Sequence, residues 1–332
     1  MAQTLQHTQS RFRLSLRRNK SVHARLSIEK SARAKEVKNK QFEQMECWLP
    51  TNNLQSVERL SFDLDIMLCI HSGLRVVRKA FNTQPSLLPR HYASIANEVA
   101  LLRTLVHPNL VRVYGTSADA SSVYVLSEFC EGGNLESIAK TVVKRNGIVG
   151  EVVLGKICEG VLNGLAFLES KCIDVTELQP RNIFVTREGE IKLNEYGSFY
   201  TDSCIMSQVS APKPIYASPE RIKGDSYTIT NLVWSLGIII IELAGNKYPY
   251  NTKDSVSLLG LLMKIVRDQP PELGNSNSWS DELRCFTKTC LIKDPIHRPT
   301  PSTLIEHPFI SWSKTRKVNM KKWIRQVWEW DS

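Results

Sequence analysis

The order of apolar and polar positions divides the chain into a strand-rich first part and a helical second part. Alternating apolar residues predict a strand over 74–81 and a strand pair formed by 110–114 and 123–128. Residues 92–105 instead place apolar side chains at helical spacing. These patterns predict a small sheet accompanied by one early helix.

From about residue 150 the apolar positions follow a helical period. Residues 153–168 carry one apolar stripe, and the chain after residue 225 is helical pattern interrupted by Pro and Gly. A hairpin is predicted at 183–186 and 191–193, on either side of Arg-Glu-Gly. Two lobes of unequal size are expected, with ligands bound between them.

Residues 1–53 differ from the rest in composition and charge. Residues 1–40 contain eleven Lys or Arg against two acidic residues, so they hold +9 of the net charge of +10. A segment of Lys, Arg, Ser and Gln with few aromatics buries too little apolar surface to order itself, so a disordered tail is expected. A mitochondrial transit peptide is an alternative interpretation of this composition.

Cysteines and apolar runs bear on the cellular compartment. The eight cysteines form no CxxC pair or Cys/His cluster, which argues against structural zinc. The longest apolar run, 236–243, is interrupted by Glu242 and is too short to span a bilayer, and no secretory leader is visible. A reduced compartment is expected, the cytoplasm first and the nucleus as an alternative.

Five short motifs in the second half of the chain occur in the order and spacing typical of protein kinases. They are Ser218–Arg221, Trp234–Gly237, Tyr248–Tyr250, Asp294–Pro299 and Glu306–Phe309. Across about 54–310 the chain resembles a protein kinase of the MAP kinase kinase (dual-specificity) family. The resemblance implies an α+β bilobal fold, with a β-rich N-lobe over 54–128 and a helical C-lobe over 129–310.

The resemblance also implies two salt bridges, one of which is the nucleotide-binding pair. Glu220 is expected to pair with Arg298. Lys79, after Val-Val-Arg on the predicted strand, matches the nucleotide-binding lysine, and Glu98 matches the helix acid that pairs with it. The alternative is that Lys79 and Glu98 are solvated surface charges.

The glycine-rich flap of the family is missing. Residues 60–68 carry Asp63 and Asp65 where glycines would let backbone N–H groups approach phosphate. Only Gly73 lies nearby, in the next turn. Because two carboxylates are expected to repel a triphosphate, we expect ATP and Mg to bind weakly or not at all.

The catalytic loop, residues 175–182, differs from the family's motif at most of its functional positions. Glu177 stands at the position of the catalytic base, one methylene longer than the family's Asp, and Gln179 replaces a Lys that neutralises the transferred group. Thr176 replaces the Arg that responds to activation-segment phosphorylation. Asn182 matches the family's metal-binding Asn, although an Asn that caps a turn before a strand is the alternative.

The second metal position and its support also differ from the family. Glu195 replaces the metal-binding Asp and still offers carboxylate oxygens to Mg²⁺. Leu232 replaces an Asp that supports the catalytic loop. The phosphoacceptor positions fall on Ile205 and Val209, with Ser203, Ser207 and Ser210 close by.

Both ends of the domain suggest partners. A basic cluster followed by a Leu-x-Ile pair fits the motif by which MAP kinase kinases bind MAP kinases; it consists of Arg17, Arg18, Lys20, Leu26 and Ile28. A generic tail that binds nucleic acid or anionic lipid is the alternative, although no base-reading module supports it. Residues 311–332 predict an amphipathic helix that either engages an upstream kinase or packs on the large lobe.

Two functions follow from these features. The first is a catalytically impaired MAP kinase kinase-like domain, a pseudokinase acting as scaffold or allosteric regulator in a MAP kinase cascade. The second is a divergent but active ATP-dependent Ser/Thr (dual-specificity) kinase that phosphorylates a MAP kinase. Lys79, Glu98, Asn182 and the two retained carboxylates favour the second, so phosphotransferase activity stays open at this point.

Overall fold

The computed structural model describes residues 54–330 except 62, 71, 83–87, 120–121, 174, 176, 195–213, 226–227, 251–256 and 275–278. Its first part is an antiparallel sheet of strand order β1-β2-β3-β5-β4. The strands are β1 Leu54–Arg59, β2 Leu64–Cys69, β3 Arg75–Asn82, β4 Val113–Ala118 and β5 Ser122–Glu128. The predicted strand over 74–81 is therefore confirmed as β3.

One helix, α1 (Leu88–Arg103), packs against β4 and β5. Its buried side chains include Ile95 and Val99, which share a core with Phe81 and Val125 of the sheet. Phe81 and Val125 define the inner face of the sheet, which is the face that α1 covers. The helical spacing seen in the sequence thus marks the side of α1 that the sheet covers.

The first of the two predicted paired strands begins later than expected. Leu110 forms an isolated bridge with Leu193, and the N–H of Val111 donates to the Leu193 carbonyl at 2.8 Å, so the ladder with β5 starts only at Val113. Leu110 and Val111 are both buried. Their apolar side chains are buried at the junction of the two lobes. The alternation of apolar residues in the sequence does not distinguish this buried segment from a strand.

The large lobe is helical, as its apolar period predicts. Its helices are α2 Leu135–Lys144, α3 Glu151–Ser170, α4 Pro219–Lys223, α5 Thr230–Gly245, α6 Leu258–Arg267, α7 Asp281–Cys290, α8 Pro301–Leu304, α9 Pro308–Thr315 and α10 Met320–Trp328. Helix α5 is buried on nearly every side and contacts α3 and α7. One continuous apolar core extends from the inner face of the sheet into this lobe.

A short hairpin and a helical turn lie between the lobes. Strands β6 (Ile183–Val185) and β7 (Ile191–Leu193) pair as predicted, directly after a 3₁₀ turn at Pro180–Asn182. Strand β7 contacts α3. The observed architecture is the expected α+β bilobal one. Within the described part of the chain, no helix combines the length and apolar character that a membrane crossing requires.

Candidate functional site

Lys79 lies at the centre of the sheet, on its inner face. Its register partners are Leu64 on β2 and Val125 on β5. Side chains alternate along a strand, so Lys79 shares its face with Phe81, whose ring centroid is 5.8 Å from the Lys79 ammonium nitrogen. The ammonium group is therefore on the side of the sheet that faces the large lobe and α1.

Glu98 lies on the helix that covers this face. It is half-buried, one residue before the fully packed Val99 of α1. Lys79 is half-buried as well. The structure thus places both residues on facing elements as the sequence predicts, and the ion pair between them stays a prediction.

The turn between β1 and β2 stands where the family has its glycine-rich flap, and two of its backbone N–H groups donate to the first residue of β2. The N–H groups of Leu60 and Ser61 both donate to the Leu64 carbonyl, at 2.9 and 3.1 Å. The Ser61 hydroxyl donates to an Asp63 carboxylate oxygen at 2.6 Å, and the Ala80 N–H donates to the Asp63 carbonyl at 2.7 Å. A phosphate-binding loop needs free N–H groups at this place, and these two are already bonded.

Asp65 has a different position from the one expected. It pairs in register with Arg78, and the two side chains form an ion pair of 2.6 Å while the Arg78 guanidinium lies 4.6 Å from the ring centre of Tyr124. Arg78 precedes Lys79 on the same strand, so this ion pair is on the outer face of the sheet. The expectation that Asp65 repels a triphosphate is wrong, because its charge is paired on the opposite face.

The loop before β6 brings Glu177 and Asn182 together. The Asn182 side-chain amide donates to the Glu177 carbonyl at 3.3 Å, and the Asn182 N–H donates to the Gln179 carbonyl at 2.9 Å. Gln179 and Asn182 are both buried, whereas Glu177 is half-buried. Asn182 therefore closes this loop through its side chain, and its role as a metal ligand stays a prediction.

A buried lysine that the sequence analysis missed links the lobes. Lys192, 7% exposed, places its ammonium 3.1 Å from a Glu128 carboxylate oxygen, and the same oxygen accepts the Arg112 N–H at 3.1 Å. Lys192 belongs to β7, whereas Glu128 ends β5. In the sequence, Lys192 stands out only as a single charge between two apolar residues of a short predicted strand.

The expected pair of Glu220 and Arg298 is confirmed. Two guanidinium nitrogens of Arg298 donate to the two Glu220 carboxylate oxygens at 2.6 and 3.1 Å, with side-chain exposures of 0% and 6% for Arg298 and Glu220. Arg298 also donates to three backbone carbonyls, and its guanidinium lies 5.3 Å from the Trp234 ring centre. Burial raises the pKa of Glu220, but the hydrogen bonds and charge of Arg298 outweigh it, so the net pKa is lowered.

This bilobal geometry agrees with a comparison against protein families. The family described as protein kinase domain matches residues 65–310. The chain belongs to the protein kinase family.

Within this family the kinase domain is similar to MAP kinase kinases. It is 39% identical over 266 residues to the mitogen-activated protein kinase kinase mkk2 of Aspergillus fumigatus, covering 76% of this chain and 52% of that protein. It is 33% identical over 249 residues to the MAP kinase kinase MKK1/SSP32 of Saccharomyces cerevisiae, covering 73% and 49%. It is 32% identical over 240 residues to the MAP kinase kinase skh1/pek1 of Schizosaccharomyces pombe, covering 70% of this chain and 66% of that protein. The chain spans about half the length of the first two.

The central helix of the kinase domain, α5, supports the segment before Glu220. Leu232, where the family has an Asp, is buried and apolar. Its neighbour Asn231 donates to the Ser218 hydroxyl at 3.0 Å, and Ser235 donates to the Tyr216 carbonyl at 2.9 Å. At the position of the family's supporting carboxylate, Leu232 is therefore packed in the core. Helix α5 contacts the Ser-Pro-Glu segment through Asn231 and Ser235.

The C-terminal helix of the kinase domain packs back on the large lobe, one of its two predicted alternatives. Ile324 and Val327 of α10 are buried, and the Trp328 indole N–H donates to the Gly132 carbonyl at 2.9 Å. A Cβ at Gly132 would lie 3.0 Å from the Ile324 side chain. The apolar side of α10 is therefore already covered by its own chain.

Several predicted positions lie outside the described residues. They are Thr176, Glu195, Ser203, Ile205, Ser207, Val209, Ser210 and the whole tail with Arg17, Arg18, Lys20, Leu26 and Ile28. Of the residues predicted for catalysis and nucleotide binding, Lys79, Glu98, Glu177 and Asn182 lie within the described part of the chain, and their roles stay predictions.

Proposed function

We propose that this MAP kinase kinase-like domain is a pseudokinase that acts as a scaffold or allosteric regulator in a MAP kinase cascade in the cytoplasm. The observation that carries the proposal is a pair of hydrogen bonds at the turn between β1 and β2. The Leu60 and Ser61 N–H groups both donate to the Leu64 carbonyl. A flap of this kind offers fewer donors to phosphate oxygens than a glycine-rich one.

The floor of the cleft supports the same proposal. Gln179 is neutral where the family has Lys, so charge developing on a transferred phosphoryl group has one stabiliser fewer. Lys79, Asn182 and Glu195 are the groups that would hold ATP and Mg²⁺. We propose that they do so weakly or not at all.

Nucleotide binding is tested first, by thermal unfolding with and without ATP and Mg²⁺. A ligand at 100 times its dissociation constant adds about 2.7 kcal/mol to stability. We expect no shift of the midpoint at millimolar ATP. A clear rise that disappears in Lys79→Met would contradict the proposal.

The second candidate is an active kinase, which is favoured by the placement of Lys79, Glu177 and Asn182. Radiolabelled phosphate transfer to a MAP kinase distinguishes the two candidates. Transfer by the wild type that is lost in Lys79→Met establishes the second. Equal transfer by both proteins identifies a contaminating kinase, and the absence of transfer by either supports the pseudokinase.

The proposed partner is a MAP kinase bound through the basic cluster and the Leu26-x-Ile28 pair. The relatives are named as MAP kinase kinases, which supports this class of partner. The double substitution Leu26→Ala/Ile28→Ala is expected to weaken binding about tenfold or more, measured by biolayer interferometry with the full chain. Val37→Ala, in the same tail but outside the motif, should bind as wild type.

An upstream kinase is the second proposed partner, at the C-terminal helix. Because Ile324 and Val327 are buried against the large lobe, such a partner would have to use the exposed side of α10.

A further inference from the structure

A groove lies between the end of α2 and the exposed side of α10, away from the cleft between the lobes. Its volume is about 780 Å³. The residues that line this basic groove are Arg145, Asn319, Lys321, Lys322, Arg325, Gln326, Glu329 and Trp330. None of these residues belongs to the cleft between the lobes, so a ligand could bind here whether or not the cleft transfers phosphate.

The lining of the basic groove is strongly cationic. It carries four Lys or Arg side chains against the single carboxylate of Glu329, a net charge of +3. The adjoining stretch 314–325 contains six Lys or Arg and no acidic residue. Although the +9 tail holds most of the chain's net charge, the described fold therefore has a concentrated positive region of its own.

The carboxylate neighbours of Arg145 and Lys321 form solvated ion pairs with them. Arg145 lies 2.9 Å from Glu329, whose side chain is 76% exposed, and Lys321 lies 2.8 Å from Glu188, whose side chain is 58% exposed. Exposed ion pairs of this kind stabilise a protein little. Both cations can therefore turn toward a more highly charged ligand at small cost.

The shape of the basic groove indicates the kind of ligand. Arg145 at the end of α2 and the cations of α10 line the same groove, so a compact ligand with several negative charges can contact both elements. The volume falls in the range of about 300–1,000 Å³ that small-molecule sites occupy. We propose that the basic groove binds a small molecule carrying several phosphate groups.

Binding there would fasten α10 to the end of α2. Arg145 already donates to the Gln326 carbonyl of α10 at 3.1 Å, and Trp328 of the same helix donates to Gly132, between β5 and α2. A ligand that bridges Arg145 and the α10 cations adds to these contacts. It is therefore expected to raise the midpoint of thermal unfolding.

The test measures binding of inositol hexakisphosphate to the full chain by isothermal titration calorimetry at about 150 mM salt, where exposed charges are screened beyond roughly 8 Å. We expect Lys322→Glu/Arg325→Glu to weaken binding at least tenfold and Lys322→Glu alone to weaken it severalfold. The matched control Lys314→Glu/Lys317→Glu makes the same charge change outside the groove and should bind as wild type.

Each result decides the proposal. Equal affinity in wild type and both groove variants would place binding on the basic tail and overturn it, as would no binding at all. Circular dichroism must give the single variant a wild-type unfolding midpoint without ligand. Vesicles containing phosphatidylinositol bisphosphate test the other source of phosphate groups. If they bind through Lys322 while inositol hexakisphosphate does not bind, the groove takes a lipid head group and the proposal of a small soluble molecule is overturned.

Discussion

At the scale of single residues, the buried pair of Glu220 and Arg298 is the clearest structural determinant of the large lobe. Arg298 joins Glu220 to the carbonyls of Thr230 and Ile292, so one side chain ties three segments together. Breaking a buried pair by removing one partner leaves a charge without compensation. This pair is consequently more sensitive to substitution than the exposed ion pairs of the surface.

Replacing Arg298 with Met is expected to lower the free energy of unfolding by about 3–5 kcal/mol. The physical reason is that Glu220 keeps its burial but loses its two charged hydrogen bonds. Urea denaturation followed by fluorescence measures the change. The exposed neighbour Lys223→Ala should stay within about 0.5 kcal/mol of wild type, and a similar value for Arg298→Met would contradict this account.

The lowered pKa of Glu220 predicts how stability depends on pH. An unfolded Glu has a pKa near 4.3, and a folded pKa below it means that the unfolded chain binds more protons during acidification. The contribution of Glu220 is thus fully present above about pH 5 and is lost as pH falls through its folded pKa. The stability difference between wild type and Glu220→Gln should be constant from about pH 5 to 7 and shrink below pH 4.

At the scale of elements, α5 illustrates how close packing decides which residue is tolerated. Its run of Ile238 to Ile241 is buried in the centre of the large lobe. An added Cβ at Gly237 would lie 2.8 Å from the Cys290 Cβ and 2.9 Å from the Leu291 side chain. Helix α5 therefore approaches α7 more closely than an ordinary side chain permits.

Gly237→Ala is expected to destabilise the domain by about 1–3 kcal/mol, because overpacking forces α5 and α7 apart. Gly245→Ala is the matched control in the same helix, since no atom lies within 4 Å of its added Cβ. That change should be neutral or stabilise by up to about 1 kcal/mol through helix propensity. Thermal unfolding of both variants checks the pair, and equal midpoints would refute the close approach.

At the scale of the whole molecule, the two lobes are joined by a polar link as well as by the apolar core. Lys192 of β7 contacts Glu128 at the end of β5, and it donates to the Leu110 carbonyl at 3.5 Å. Leu110 itself bridges to Leu193. The link therefore fixes the sheet relative to the large lobe on the side where the chain crosses between them.

Lys192→Met should cost about 1–3 kcal/mol, because Glu128 then keeps only its bond from the Arg112 backbone among the contacts described above. A double-mutant cycle with Glu128→Gln should give a coupling energy of at least about 0.5 kcal/mol. Lys140→Met, which removes an exposed pair with Glu136, is the control and should change stability by less than about 0.5 kcal/mol. Additive effects of the two substitutions would contradict the link.

Sequence patterns predicted the elements well where one side of an element is buried. Residues 153–168 form part of α3 and residues 74–81 match β3 because their periods follow burial directly. Strand β1 was not predicted, because most of its side chains are exposed and give little alternation. The motif around Glu220 and Arg298 was sufficient to predict their contact.

Residue type and spacing were sufficient to predict the order of most elements, the resemblance to protein kinases and the residues that differ from that family. The pairing of Asp65 with Arg78 on the outer face, and the donation of the Leu60 and Ser61 N–H groups to Leu64, became visible only in the folded chain. The tertiary structure also decided that α10 packs against Gly132 and borders the basic groove. The physical reason is that the direction of a side chain and the satisfaction of a backbone group depend on neighbours distant in the chain.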